Sequence, residues 1–600
     1  MSIQKYSVNQ HNIQTLLTWI ESGEIAIPEI QRPFVWSNAK VRDLIDSLYT
    51  GYPVGYLIAW RNPDVRLKDG STSSGKRILI DGQQRVTALM ASLLGKEIIN
   101  DEYKRTRITI AFNPMEGNGR FEVANPAIKN DSAWIPDISK VISPEIKMLK
   151  LVQKYCEKNP GADQDSTYDN LELLKSIVNN SIGMIELNSD LDIETVTEIF
   201  IRINSKGVVL SQADFAMSKI AANETYGGNE LRKCIDYFCH LAVAPEFYRE
   251  IAEHDQDFSR SEYFQKMSWL KNENDDLYDP AYTDMLRVAF SSEFKRGKLQ
   301  DLVALLSGRN FATRTFEEEI AEDSFKRLKD SVFRFMNETN FKRFVMIVRS
   351  AGFLDSNMLR SQNILNFAYI VYLSLKDQNV EATEIETTVR RWLVMSILTR
   401  RYSGSAESAF DLDIRRIDEI GVPKYLADIE KAELSDAFWN SGLPQQLYTS
   451  VVSSPFFNLY LAAQVKMNDK GFLSKDITVS DLISYRGDVH HIFPKNFLKS
   501  NGLSRGKYNQ VANYVMMQSE INISIKDRPP AEYFGALIRE CEAGNSAYGG
   551  INEHVELKEN FKQHSIPEGI ENMQFENYEE FLEKRRELMA HKIRDYYQLL

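Results

Sequence analysis

No run of apolar residues in this chain approaches the length needed to cross a bilayer, about 18–20 residues, yet 43% of its 600 residues are hydrophobic. That much apolar surface has to be buried in water-soluble cores. A length of 600 residues exceeds what a single core supports, so two to four domains are expected. The N-terminus, MSIQKYSVNQ, lacks the apolar stretch of a signal peptide, which points to a cytoplasmic protein with no membrane contact. Four cysteines, Cys156, Cys234, Cys239 and Cys541, contain no C-x-x-C pair; neither a disulfide framework nor a thiolate zinc site is indicated, and buried free thiols are expected.

A formal net charge of −12 argues against a protein that coats nucleic acid through bulk electrostatics. Local charge differs. Between Arg486 and Arg528 seven Lys or Arg stand against three Asp or Glu, and the same segment holds His490 and His491, two of only eight histidines.

The chain reads as a multidomain α+β protein. Residues 1–220 mix short apolar strands with helices, as an α/β domain would; 221–440 carry mainly helical apolar spacing, for example Phe325 to Ile347, Ile364 to Leu375 and Val389 to Ile397; 441–600 form a mainly helical domain with a core at about 485–535 and a terminal helix from Tyr578 to Tyr597. The first clear helix follows Trp36: Ser37 caps it, Val41, Leu44, Ile45 and Leu48 share a face, and Gly51 and Pro53 stop it. Asn62 to Lys76, rich in Gly, Ser and Thr, reads as a surface loop.

Two constellations carry chemistry. In the first, Arg77 to Ile80 is a short strand, Asp81-Gly82-Gln83-Gln84-Arg85 a polar turn, and Val86 to Leu94 the opening of a helix. A helix N-terminus offers unpaired N–H groups and partial positive charge to a phosphate, and Gly82 lets the backbone approach a ligand. Arg85 adds a fork of donors, Gln83 and Gln84 neutral hydrogen bonds, and Asp81 a group to activate water or hold a metal ion. The turn is not a P-loop. On these residues alone a capping Asp81 and a surface Arg85 are an equal alternative. Two further segments favour a site: Ile27 to Trp36, which sets Gln31 and Arg32 among prolines and aromatics, and Phe200 to Gly207 with Asn204, followed by a Ser211-x-x-Asp214 capping box.

The second constellation is Asp488-Val489-His490-His491-Ile492-Phe493-Pro494-Lys495, followed by Asn509, Asn513 and Asn522. Hydrolysis of a phosphodiester needs an activated water, a cation to offset phosphate charge, and stabilisation of the leaving oxygen. One histidine and one metal ion suffice if a second group, such as Asn513, orients the ring directly or braces the backbone, and if a further His or Asn ligates the cation. Two adjacent histidines by themselves are more often structural than catalytic.

The three segments I-P-x-x-Q-R-P-x-x-W, D-G-Q-Q-R and F-x-x-I-N-x-x-G-x-x-L, in this order, closely resemble the N-terminal domain of GmrSD-type modification-dependent (type IV) restriction endonucleases, a domain related to the ParB and sulfiredoxin fold. The resemblance implies a nucleotide site at Asp81, Gly82, Gln83, Gln84 and Arg85, with Gln31, Arg32 and Asn204 around it. The string D-V-H-H-I-F-P-K with its downstream asparagines resembles the HNH-type ββα-metal domain of the same proteins. It implies His491 as general base, His490 and Asn522 as ligands of a divalent metal, Asn513 as the orienting residue, and Lys526 against phosphate. Many such nucleases carry an acidic residue where this chain has His490, and a final His where it has Asn522. Neutral ligands suit softer cations, so Mg²⁺, Mn²⁺ and Ni²⁺ all stay open, and Asp488 is a further source of charge.

The function implied is a nucleotide-regulated, metal-dependent DNA endonuclease with NTPase activity, acting on modified foreign DNA; its oligomeric state is left open. The competing reading is a nucleotide-dependent DNA-binding or NTPase regulatory protein whose HNH-like domain is not catalytic. Arg390-Arg391-Trp392, Arg400-Arg401-Tyr402, Lys584-Arg585-Arg586 and His591-Lys592 interleave basic and aromatic groups, but solvated helix faces, with Trp392 in the core, are the stronger expectation for them.

Overall fold

The computed structural model describes residues 4–26, 34, 36–61, 77–99, 105–115, 120–143, 146–188, 191, 195, 199, 212–223, 225–273, 275, 277–485, 487 and 489–600. Gln31, Arg32, Asn204, Asp488 and the whole of the 62–76 loop lie outside them. The chain divides into two compact units, Met1–Asp236 and Tyr237–Leu600. Mixed α+β architecture is borne out, with the main sheet in the first unit and a helical second unit.

The first unit is organised by a five-stranded sheet in the order β1 (Tyr6–Asn12), β5 (Ser181–Leu187), β3 (Tyr56–Arg61), β4 (Arg77–Asp81), β2 (Ile25–Ala26). β1 runs antiparallel to β5, β5 parallel to β3, β3 antiparallel to β4, and β4 parallel to β2. Alternation along the strands gives the sheet two apolar faces. Leu57, Ala59, Leu79 and Met184 pack on one side with Leu16 and Val86, while Ile58, Trp60 and Leu187 form a smaller cluster on the other.

Helix α1 (Ile13–Glu21) starts where Asn12 turns its side chain back to accept the Thr15 N–H at 2.7 Å, and it buries Ile13, Leu16 and Leu17. The sequence reading placed the first clear helix later, after Trp36. That later helix, α2 (Asn38–Tyr49), is present as expected: Ser37 caps it through the Lys40 N–H, and Val41, Leu44, Ile45 and Leu48 are buried. They join a second core with Phe112, Phe121, Leu171 and Leu174.

In the second unit, helix α6 (Gln362–Asp377) is buried on every side from Ile364 to Leu375 and packs against α5 (Tyr282–Phe294) and α7 (Ala382–Leu398). The basic and aromatic residues around α7 are structural. Trp392 is fully buried and its Nε1 lies 3.3 Å from the Tyr402 hydroxyl, which donates at 2.8 Å to Asp413. Arg401 forms a two-pronged pair with the buried Asp413, its Nε at 2.7 Å from Oδ2, and donates to the Tyr425 hydroxyl at 2.6 Å. Arg391 pairs with Glu430 at 2.6 Å. These groups are occupied by one another. The four cysteines are free thiols; Cys234, Cys239 and Cys541 are buried and Cys156 half-buried. No helix among the described residues is long and apolar enough to cross a membrane.

Candidate functional site

In the first unit β4 ends at Asp81, Gly82 stands at φ 94°, and α3 (Gln83–Leu93) begins at once. The helix therefore starts three residues earlier than the sequence reading has it: Gln83, Gln84 and Arg85 form its first turn. Glycine is required at 82 for two reasons. Its φ lies in the left-handed region, and a Cβ there would stand 2.3 Å from Leu57 Cδ2 on the neighbouring strand. Gly82→Ala is expected to cost about 1–3 kcal/mol of stability. Urea unfolding checks this, and an unchanged midpoint would show that the turn relaxes freely.

No side chain caps α3, so Asp81 does not serve as its cap. The first-turn N–H groups of a helix have no intrahelical acceptor and carry partial positive charge. Residues 81 to 85 are all half-buried. Arg85 Nη1 donates to the Tyr56 carbonyl at 2.9 Å, so part of its fork is spent on β3. Burial lowers the Arg85 pKa and the Asp81 charge opposes that lowering. Gln83 Nε2 reaches the Leu79 carbonyl at 3.3 Å.

In the second unit, β6 (Val489–His491) and β7 (Tyr514–Met516) pair antiparallel, with His491 opposite Tyr514 and His490 opposite Val515. Helix α10 (Ser519–Ile525) follows directly, completing a strand–strand–helix unit. Between the strands lie two short helices, α8 (Lys495–Ser500) and α9 (Arg505–Tyr508). The sequence explains the breaks: Pro494 precedes α8, and Gly502 at φ 87° separates α8 from α9.

His491 Nε2 lies 3.0 Å from Asn509 Oδ1. An amide oxygen only accepts, so this contact puts the ring proton on Nε2 and leaves Nδ1 with its lone pair. The ring also meets Tyr514 edge-on, centroids 5.1 Å apart. Burial pushes the His491 pKa below its usual value; the Asn509 bond opposes this, while Lys495 and His490 add to the lowering. A neutral imidazole at physiological pH is the form able to take a proton.

Asn513 is fully buried and takes the backbone-bracing route. Its Oδ1 accepts the Phe493 N–H at 2.8 Å, and its Nδ2 donates to the Phe493 carbonyl at 3.1 Å. The residue that touches the ring, Asn509, has no role in the sequence reading, although it is the first of the three asparagines that follow the histidines. His490 and Asn522 are both half-buried, on β6 and α10. Among the described residues the Asn522 side chain makes no hydrogen bond, and no group of three or more His, Cys, Asp or Glu side chains is placed to hold a metal ion.

The hairpin is held from beneath by α11 (Tyr578–Gln598). Arg585, on this helix, is fully buried; Nη1 donates to the Ala512 carbonyl at 2.7 Å, Nη2 to the Tyr514 carbonyl at 2.9 Å, and Nε to the His564 carbonyl at 3.2 Å. This corrects the expectation of a solvated basic face at Arg585, while Lys584 beside it is exposed as expected. His564 is also fully buried: Nε2 donates to the Lys470 carbonyl at 2.7 Å, and Nδ1 faces Gln464 Nε2 at 3.3 Å. Burial drives its pKa down to about 3.

Because His564 stays neutral when folded but takes a proton near pH 6.5 when unfolded, its contribution to stability is complete above about pH 6.5. It is lost progressively as pH falls toward 3. Between pH 6.5 and 5 the chain should lose about 2 kcal/mol more than a His564→Asn variant. Urea titrations at both pH values test this, and parallel curves would refute it.

The site thus consists of a restrained histidine on a strand–strand–helix in the second unit and an uncapped helix N-terminus on a mixed sheet in the first. Residues 13–221 match the family model described as GmrSD restriction endonuclease, N-terminal domain. The likeness of this part of the chain to that domain points to a restriction-endonuclease type of protein. The uncharacterized protein MJ0686 of Methanocaldococcus jannaschii is 22% identical over 642 aligned residues, covering 97% of this chain and 98% of that protein. The likeness therefore runs through both units.

Proposed function

We propose that this protein is a nucleotide-regulated, metal-dependent DNA endonuclease of the modification-dependent restriction type, with an HNH-like nuclease motif at 489–525. The observation that carries the reading is the His491 ring held by Asn509 on a strand–strand–helix unit, in a chain whose residues 13–221 match a restriction endonuclease domain.

In this reading His491 Nδ1 takes the proton from the attacking water, and Asn509 fixes the ring through Nε2. Asn513 holds the backbone at Phe493, two residues after the base, so the strand end does not shift when substrate enters. His490 and Asn522 would hold the divalent cation. When bound, it offsets phosphate charge and stabilises the leaving oxygen. In the first unit the opening turn of α3 receives the phosphates of an NTP, with Asp81 beside it for water or metal; the missing side-chain cap on that helix supports this role.

The test is a cleavage screen of plasmid and phage DNAs bearing different modifications, run with each NTP and with Mg²⁺, Mn²⁺ or Ni²⁺. Cleavage of at least one modified DNA, abolished by chelator, is expected. Asp81→Ala should lose nucleotide turnover while leaving the second unit folded. No cleavage under any combination would overturn the reading.

A further inference from the structure

We infer that the two short helices between the paired strands, α8 and α9, together with the turn after α10, form a track for the phosphate backbone of duplex DNA. Its cations are Lys495, Lys499, Arg505, Lys507 and Lys526. All five are exposed, and among the described residues none is in an ion pair. Other cations of this unit are held by acids: Arg334 pairs with Asp377 at 2.6 Å, Arg349 with Asp275 at 2.7 Å, and Arg594 with Asp436 at 2.8 Å. In a chain of net charge −12, these five exposed cations make the surface beside the histidine strand locally basic.

The fold gathers them beside His491. Lys495 Nζ is 6.0 Å from the centre of the Tyr508 ring, and that ring is 6.5 Å from His491. Asn496 Nδ2 donates to Asp527 at 3.3 Å, which brings the turn holding Lys526 alongside α8. The Tyr578 hydroxyl meets the Lys507 and Tyr508 carbonyls at 3.2 Å, tying α9 to α11. Lys495 and Lys499 stand one helical turn apart, about 6 Å. A rigid row of cations suits a polyanion that carries a charge about every 1.7 Å of its axis. The choice of DNA among polyanions rests on the nuclease reading of His491, but the binding itself needs no metal.

Anisotropy of a fluorescein-labelled DNA duplex, titrated with the full chain in EDTA at graded NaCl, reads binding without cleavage. Each phosphate contact adds about 0.9 to the slope of log affinity against log salt. Replacing Lys495, Lys499, Arg505 and Lys507 by Gln should lower that slope by about 3–4 and weaken binding at least about tenfold. The matched control replaces Lys147, Lys150, Lys154 and Lys158, exposed on or just before α4 (Met148–Lys158) of the first unit, by Gln; it should leave the slope unchanged. The two halves, Lys495→Gln with Lys499→Gln and Arg505→Gln with Lys507→Gln, should each give about half the loss, which keeps the result readable if the fourfold variant folds poorly. Parental binding by the strip variants overturns the proposal. So does an equal loss in the control, which would mean bulk charge, or loss of self-association with DNA binding intact, which would mean the strip receives a second copy. A parent that binds but never cuts with any metal would refute the nuclease reading and leave the track standing.

Discussion

His491→Ala is expected to lower DNA cleavage by about 10²–10⁴-fold, the usual worth of a positioned general base, with little change in DNA affinity measured in EDTA. The ring is half-buried, and among the described residues its one side-chain hydrogen bond is to Asn509, so its removal costs the fold little. Asn509→Ala should give a smaller loss, because the imidazole survives but its tautomer and orientation are no longer fixed. Asn513→Ala differs in kind. It strips the Phe493 N–H of its acceptor in a fully buried place and should lower stability and cleavage together. Single-turnover cleavage alongside thermal unfolding separates the three. Parental cleavage in His491→Ala would remove this residue from the chemistry.

Parts of this arrangement are legible in the sequence and parts are not. The run Arg77 to Ile80 followed by Asp-Gly announces a strand and a turn, because alternation and glycine are local signals. The start of α3 is misplaced because Gln83 and Gln84 look like turn residues when they are adequate helix formers behind a left-handed Gly82. The histidine strand, Val489–His491, is not legible locally: the region around His490 reads as helical, and only the resemblance to a ββα-metal domain implies strands there. Three residues are too few for alternation to show, and the strand is made by pairing with Tyr514–Met516. Which asparagine meets the ring is not legible either: positions 509 and 513 differ only in how a turn at Val511–Asn513 aims them, and that turn is set by the strand pairing. Arg401 and Arg391 read as free basic groups because their partners, Asp413 and Glu430, lie on other helices. Arg585 had a usable signal. It falls in line with Tyr578, Phe581, Leu582, Met589 and Ile593, the buried stripe of α11, and a cation on such a stripe needs acceptors waiting for it.

Those acceptors make Arg585→Met the largest expected effect on stability. The wild-type guanidinium is taken wholly out of water, and burial lowers its pKa. No carboxylate pairs with it among the described residues; backbone carbonyls of Ala512, Tyr514 and His564 accept its protons instead. Methionine fills much of the same volume but donates nothing, so three buried carbonyls lose a partner at about 1–3 kcal/mol each. Relief of the buried charge offsets part of that, which leaves a net loss of about 4 kcal/mol. Two of the three carbonyls flank Asn513, so the brace on Phe493 and the strand facing His491 should loosen before the unit unfolds. Cleavage should therefore fall even at temperatures where the variant remains folded, and hydrogen exchange at Tyr514 and Val515 should quicken. Arg585→Lys, which keeps the charge but not the fork, should recover only part of the stability. An Arg585→Met variant that unfolds at the wild-type urea midpoint would show that the carbonyls find other donors and that the helix does not hold the hairpin.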